Sequence, residues 1–470
     1  MEIRESIKIG DYVVIQKQKY LKLHQLKARC DVMLGKDLVN LKAIVGQPFW
    51  TTFKMIQKKK KEFDLEVASE IESLPEAVMK DVQSGSDNRN ITDDGKSQLL
   101  STEEIEGFKE SGLSAQSIVG KLIESSTTFH NKTEYSQEKY LKKKEKKYFE
   151  YIVIRKPTVR LLAEMFYSKD PHSVLGLRHD SIAQILSYAN VQNSGTYVLF
   201  ESGTQALLGS AILDCLDDQG RVISITTGRY PPKQAVVGMN FPEEKRAKSF
   251  LSVTLTDFLT SLEKRVSEES TNGVEEAVKL SNGEDGLVTQ AVPSTAAERT
   301  GNEKATLNGI AQNVLPASTE DSKAADNGLI QEETSNSKKR KQEPDTINDC
   351  GTPALKKPRW QENLEIAKDA LLKDGADSLI FASKEFPLPL ILKMLDYLKP
   401  SHSLVVYSVY REPLVLIYNE LKKKRKDVIG LHIFENFLRT HQILSDRTRP
   451  DVMMSASGGH ILVGTKVLSS

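Results

Sequence analysis

The stretch FESGTQALLG, Phe200 to Gly209, decides how this chain is read. An apolar run, TYVL, precedes it, and a helix-like run, ALLGSAILDCL, follows. Strand, acidic residue, glycine turn and helix, in that order, open a nucleotide-type cofactor site in a doubly wound α/β fold. Small residues in such a loop let the backbone approach the ligand, and the acidic residue orients its polar end. Glu201, Gly203 and Thr204 fit, but Gln205 and Leu207 stand between the two remaining glycines and are expected to intrude on a ligand. The next strand, RVISITTG, would end in a carboxylate for ribose hydroxyls; it ends in Thr226 and Thr227. Taken alone, two glycines are a weak match, and an ordinary strand–turn–helix is the better reading of them.

Outward from this stretch, helices and strands alternate. SIAQILSYA, TYVLF, ALLGSAILDCL and RVISIT lie on one side of a long interruption. SLIFAS, PLILKMLDYL, SLVVYSVY, PLVLIYNELKKK, DVIGLHIF and HILVGTKV lie on the other. That alternation predicts a parallel sheet with crossover helices. The interruption has no aromatic residue between Phe258 and Trp360 and is rich in Ser, Thr, Glu, Asn, Gly and Lys. Such a segment buries too little apolar surface to offset its ordering entropy, so a disordered insertion is expected. Upstream, GDYVVI, YLKLHQL and DLVNLKAIVG alternate as short strands of a small barrel ending near QPFWTTF, before the lysine run Lys58–Lys61. Residues from about Ser101 to Tyr148 read as helices, with a capping-box start at Ser101-Thr102-Glu103-Glu104.

The fold class expected is therefore α/β: a β-barrel-like domain over 1–75 and a Rossmann-like domain split by an insertion. Residues 76–151 form a charged helical segment, 152–262 and 359–470 the two parts of the α/β domain, and 263–358 the insertion.

Composition narrows the function classes. The net charge is only +1 over 470 residues, and the three cysteines, Cys30, Cys215 and Cys350, share no ligand-like spacing. The opening MEIRESIKIG lacks a signal-peptide core, and no apolar run is long enough to cross a bilayer, so an intracellular location is expected. His172, His179, His402, His432, His441 and His460 show no paired ligand spacing, and neither a GxSxG elbow nor a phosphate loop ending in GK[ST] occurs. No metal site is expected.

Two basic features remain. On a helix, Lys139, Lys143, Lys146 and Lys147 fall near one face with Lys142 beside them, interleaved with Tyr135, Tyr140, Tyr148 and Phe149. A solvated helix face and an RNA-phosphate surface are both open readings of that pattern. Lys338, Lys339, Arg340 and Lys341, with Lys356, Lys357 and Arg359, make two basic clusters that read as a nuclear-import signal, against a merely solubilising tail.

At DNRNITDDGKSQLL, IVGKLIESSTTFHNKTEYSQEKYLKKKEKKY and VVYSVYREPL the chain resembles the non-catalytic subunits of the eukaryotic tRNA (adenine-N1)-methyltransferase. The likeness is long from about Asn88 to Leu161 and again from about Ala376 to Gly464. It implies a related catalytic partner that keeps the S-adenosylmethionine loop and a catalytic aspartate, both lost here. It also implies a two-plus-two heterotetramer that methylates an adenosine in the T-loop of tRNA. The catalytic subunits carry ExGTGSG where this chain has Glu201-Ser202-Gly203-Thr204-Gln205-Ala206-Leu207. Their catalytic Asp aligns with Ala382, and Lys384 follows closely. The resemblance implies a tRNA-binding scaffold in the nucleus, with no cofactor and no membrane contact, its pseudo-methyltransferase domain carrying Lys384 and Arg411 at strand ends that face ligand in such sheets. The rival is an active S-adenosylmethionine-dependent RNA methyltransferase with an unusual loop.

Overall fold

The computed structural model describes residues 6–59, 61–68, 85, 97–111, 113, 115–148, 150–228, 233–263, 358–444, 447–452 and 456–468. The insertion expected over 263–358 lies, apart from its two end residues, outside the described residues, and so do all the import-signal positions except Arg359.

The N-terminal sheet contains β1 (Tyr12–Lys17), β2 (Tyr20–Gln25), β3 (Asp31–Leu34), β4 (Asp37–Asn40), β5 (Thr52–Lys59), β6 (Glu62–Val67) and β7 (Tyr151–Arg155). They pair in the order β2-β1-β7-β5-β6-β4-β3, a nearly closed barrel-like sheet. Two outcomes differ from the sequence reading. The lysine run does not end the barrel: Lys58 and Lys59 finish β5, and Lys61, at φ 65°, lies in the turn that returns the chain as β6. The strand at 151–155 belongs to this barrel and does not open the α/β domain: Ile15 faces Ile154, and Phe53 faces Ile152. Period-2 apolar patterning cannot say which sheet a strand joins, which is why the boundary drawn at 151 was misplaced.

Alternation along β1 also fixes the barrel to its neighbour. Val13 and Ile15 enter the barrel core, while Val14 turns into the core of the α/β domain. Asn240 holds the same strand by two hydrogen bonds, accepting from the Tyr12 N–H and donating to its carbonyl, each at 2.7 Å.

Between β6 and β7 lie α1 (Thr102–Glu110), α2 (Ala115–Glu124) and α3 (Glu134–Tyr148). The capping box forms: the Glu104 N–H donates to the Ser101 hydroxyl at 3.2 Å, and Glu104 accepts from the Ser101 N–H at 2.8 Å. Ile118, Val119, Leu122, Phe129 and Leu141 pack these helices around a small core of their own.

The second sheet contains β8 (Thr196–Glu201), β9 (Arg221–Thr226), β10 (Phe250–Thr254), β11 (Ala376–Ala382), β12 (Leu398–Ser408), β13 (Val428–Phe437) and β16 (Ser457–Lys466). Their order is β10-β9-β8-β11-β12-β16-β13, parallel from β10 to β12 and antiparallel on both sides of β16. This is a doubly wound sheet whose order reverses between β8 and β11, where such folds hold ligands at the carboxyl ends of the strands. Residues of β8 alternate between two cores: Tyr197 and Leu199 meet α4 (Val159–Lys169), α5 (His179–Tyr188) and α6 (Leu207–Cys215). Val198 and Phe200 meet α9 (Arg359–Asp374), α10 (Leu388–Met394) and α11 (Arg411–Lys424). Two short helices, α7 (Gln234–Gly238) and α8 (Glu243–Ser249), lead into β10. A two-stranded ribbon, β14 (His441–Leu444) with β15 (Arg447–Pro450), extends the β13–β16 hairpin and was absent from the sequence reading.

Candidate functional site

The crevice between β8 and β11 is shut by this chain's own side chains. Gly203 has a φ of 73°, and a methyl group added there would lie 2.4 Å from Cε of Lys384. The lysine stem thus covers the glycine surface against which a cofactor would rest. Beneath it the two loop tips are tied together. The Lys384 N–H donates to the Ser202 hydroxyl at 3.0 Å, that hydroxyl donates to the Glu385 carboxylate, and the Ser202 N–H donates to the Ala382 carbonyl at 3.1 Å.

Glu201 ends β8 as expected, yet it faces inward and is only 4% exposed. Its carboxylate accepts from the Thr204 hydroxyl at 2.7 Å and from the Gly209 N–H at 3.2 Å, at the first turns of α6. Gly209 is required there: a Cβ would stand 2.8 Å from Glu201 Oε1. Burial raises the Glu201 pKa to about 7, against the lowering effect of the bonds from Thr204, Gly209 and Leu208.

The loop keeps the shape of a glycine loop after losing the glycines. Gln205 and Ala206 both have positive φ, 55° and 60°, each costing on the order of 1 kcal/mol or more in a non-glycine residue. Gln205 is fastened by its side-chain N–H to the Ser173 hydroxyl at 3.1 Å and by its carbonyl to the Ala235 N–H at 3.1 Å. Leu207 corrects the sequence reading: it does not intrude on the crevice but is fully buried in the α/β core. The obstruction comes from Lys384, in the loop after β11: the sequence reading put this residue at a ligand-facing strand end, and the structure lays its stem on Gly203.

Thr226 ends β9, and its hydroxyl donates to the backbone carbonyls of Gly228 and Val253 at 3.1 and 3.4 Å. Ala382 ends β11 fully buried, in register with Glu201 on β8. A methyl side chain neither orients nor deprotonates an adenine amine. A lysine stem over the loop glycine, an inward acidic residue and a threonine at the ribose position do not fit S-adenosylmethionine.

The lysine-rich segment forms α3 as expected. Its buried line runs through Gln137, Leu141 and Tyr148. Lys139, Lys142 and Lys143 are exposed on the opposite face, where helical spacing also puts position 146, and Lys147 is exposed on the flank. Lys142 pairs with Glu138. Tyr148 is buried and Tyr140 half-buried beneath the Lys144 and Lys132 amines, at 5.0 and 5.5 Å, so these two anchor the helix, and Tyr135 is the exposed aromatic. Burial, then the Lys147 and Lys143 charges, lowers the pKa of the Lys144 amine.

Lys384 and Arg411 are both exposed, Lys384 in the loop after β11 and Arg411 as the first residue of α11. Lys384 borders a mainly apolar cavity of about 270 Å³ with Phe386, Tyr407 and Tyr410. Arg359 is the first residue of α9, so this member of the second basic cluster belongs to the folded domain. Among the described residues no cluster of His, Cys, Asp and Glu is arranged to hold a metal, and no helix is long and apolar enough to cross a membrane.

A model of the Gcd10p family matches residues 6–282. The chain is 32% identical to the tRNA (adenine(58)-N(1))-methyltransferase non-catalytic subunit TRM6 of Mus musculus, over 98% of this chain and 88% of that protein. It is 29% identical to the subunit of the same name from Dictyostelium discoideum, over 98% and 79% of the two chains. Among solved structures, a SAM-dependent O-methyltransferase from Thermotoga maritima aligns with a TM-score of 0.43 at 9% identity, covering 100% of this chain and 97% of that one.

Proposed function

The chain belongs to the Gcd10p family, and from that premise we infer that it is the non-catalytic subunit of a tRNA (adenine-58-N1)-methyltransferase, working beside a catalytic subunit. The observation that carries this reading is the Lys384 stem lying across Gly203, at a loop whose neighbouring strand ends in Ala382. What the chain contributes is RNA affinity and structural completion. The exposed lysines of α3 offer phosphate contacts, with Lys384 and Arg411 as further cations at the strand ends.

A partner also has a surface to cover. β13 is an edge strand, and the ribbon beyond it carries exposed Ile443, with Phe437 and Val452 exposed beside it. Open edges with apolar side chains are natural docking surfaces, and the catalytic subunit is the occupant proposed, in a two-plus-two assembly.

Methyl transfer to tRNA is expected only when both subunits are present, and the isolated chain should give no saturable calorimetric signal with S-adenosylmethionine. Light scattering on the active complex should give the mass of two copies of each. Micromolar cofactor binding by this chain alone would restore the rival enzyme reading.

Nuclear location rests on Lys338–Lys341 and Lys356–Lys357. Replacing 264–357 by a short Gly/Ser linker is expected to leave assembly and tRNA affinity intact while moving the protein to the cytoplasm. A variant that stays nuclear would refute that assignment.

A further inference from the structure

A cleft of about 330 Å³ opens beside the edge strand β10, between α7, α8 and the start of α9. Three cations converge on it: Lys233 before α7, Arg246 on α8 and Arg359 at the head of α9. Among the described residues none of the three side chains has an ion-pair partner; Glu243 borders the cleft without reaching any of them. Nε of Arg246 is buried with no hydrogen-bond partner among the described residues.

The crowding is felt electrostatically. Burial, followed by repulsion from Arg359 and Arg246, lowers the pKa of the Lys233 amine. Lys233 and Arg359 are exposed and Arg246 is half-buried, so the three like charges form a cationic patch that attracts an anion. The head of α9 adds to this, because Pro358 supplies no side-chain cap to the N-terminus of a 16-residue helix, the positive end of its dipole. The fourth wall is Trp360, a large indole left 55% exposed. A cationic seat beside an open aromatic face matches a nucleotide: phosphate on the cations, base on the ring.

We propose that this cleft is a second RNA contact, in which a tRNA phosphate sits among Lys233, Arg246 and Arg359 and an adjoining unpaired base stacks on Trp360. It rests on the tRNA-binding reading above and adds a site of different chemistry, since α3 offers charge with only one exposed aromatic. Base stacking makes this contact selective for single-stranded or splayed nucleotides, which the lysine face is not.

The test uses the intact complex with its catalytic partner and tRNA affinity measured across a salt series. Trp360→Ala should weaken binding about tenfold with an unchanged salt slope, and Trp360→Phe should restore most of it. Lys233→Glu should weaken binding and flatten the log-affinity against log-salt plot by roughly 0.7 to 0.9. Light scattering confirms that each variant still assembles. Wild-type affinity and slope in both Trp360→Ala and Lys233→Glu overturn the site while leaving the tRNA-binding reading standing. A wild-type complex that fails to bind tRNA overturns that reading itself. Saturable calorimetric binding of AMP, lost in Trp360→Ala while tRNA affinity stays unchanged, overturns the assignment to RNA in favour of a free nucleotide.

Discussion

Replacing Glu201 by Gln is expected to make the protein markedly more stable at about pH 8 and to flatten its stability between about pH 5 and pH 8. The wild-type carboxyl is raised from 4.5 to about 7 by burial at the end of β8. Below 4.5 it is protonated in native and unfolded states alike and contributes no pH dependence. Between 4.5 and about 7 the native state holds a proton that the unfolded chain has released, so stability falls as pH rises, and the loss is complete above that window. The size of the loss is about 3 kcal/mol. Gln carries no charge to bury, and its side-chain oxygen still accepts from the Gly209 N–H, while the Thr204 hydroxyl turns to accept from its NH₂ group. Urea unfolding at the two pH values measures the difference directly. Equal pH dependence in wild type and variant would show that Glu201 does not titrate in this window.

Charge reversal at Lys139 and Lys143 should weaken tRNA binding by the assembled complex by about a hundredfold, on the order of 3 kcal/mol for two charge-assisted hydrogen bonds to phosphate. The salt slope should fall by roughly 0.7 to 0.9 for each phosphate that is no longer neutralised. Both side chains stand on the exposed face of α3, away from Gln137, Leu141 and Tyr148, so the helix core and subunit assembly should be untouched. Wild-type affinity throughout the salt series would reduce the lysine face to a solvated surface. Lower affinity at an unchanged slope would indicate a disturbed fold instead.

Much of this was legible in the residues. The alternation of TYVLF, RVISIT, SLIFAS and SLVVYSVY identified four sheet strands because each is buried on both faces and reads as a continuous apolar run. The capping box at Ser101 was legible because its hydrogen bonds span three residues. Contacts between distant parts of the chain were not legible. Nothing near Gly203 announces that Lys384, about 180 residues later, will lie on it, and nothing near Leu207 tells whether it faces the core or the crevice. The cleft around Trp360 is illegible in sequence for the same reason: its cations come from three separate places in the chain, the residue before α7, α8 and the head of α9.

The barrel's closing strand has a consequence for the order in which this protein can form. β7 is made only after the whole helical segment has been synthesised, and until then β1 and β5 each present an unpaired edge. A nascent or truncated chain ending before Tyr151 therefore holds two sticky edges with no native partner, the condition under which strands pair with other molecules. The long loop between β6 and β7 makes that pairing entropically late, so folding of the amino-terminal domain waits on residues beyond its own helices. Because Val14 on β1 packs into the α/β core, the second domain in turn gains a finished wall only once the barrel has closed. The two halves are thus coupled in time as well as in space.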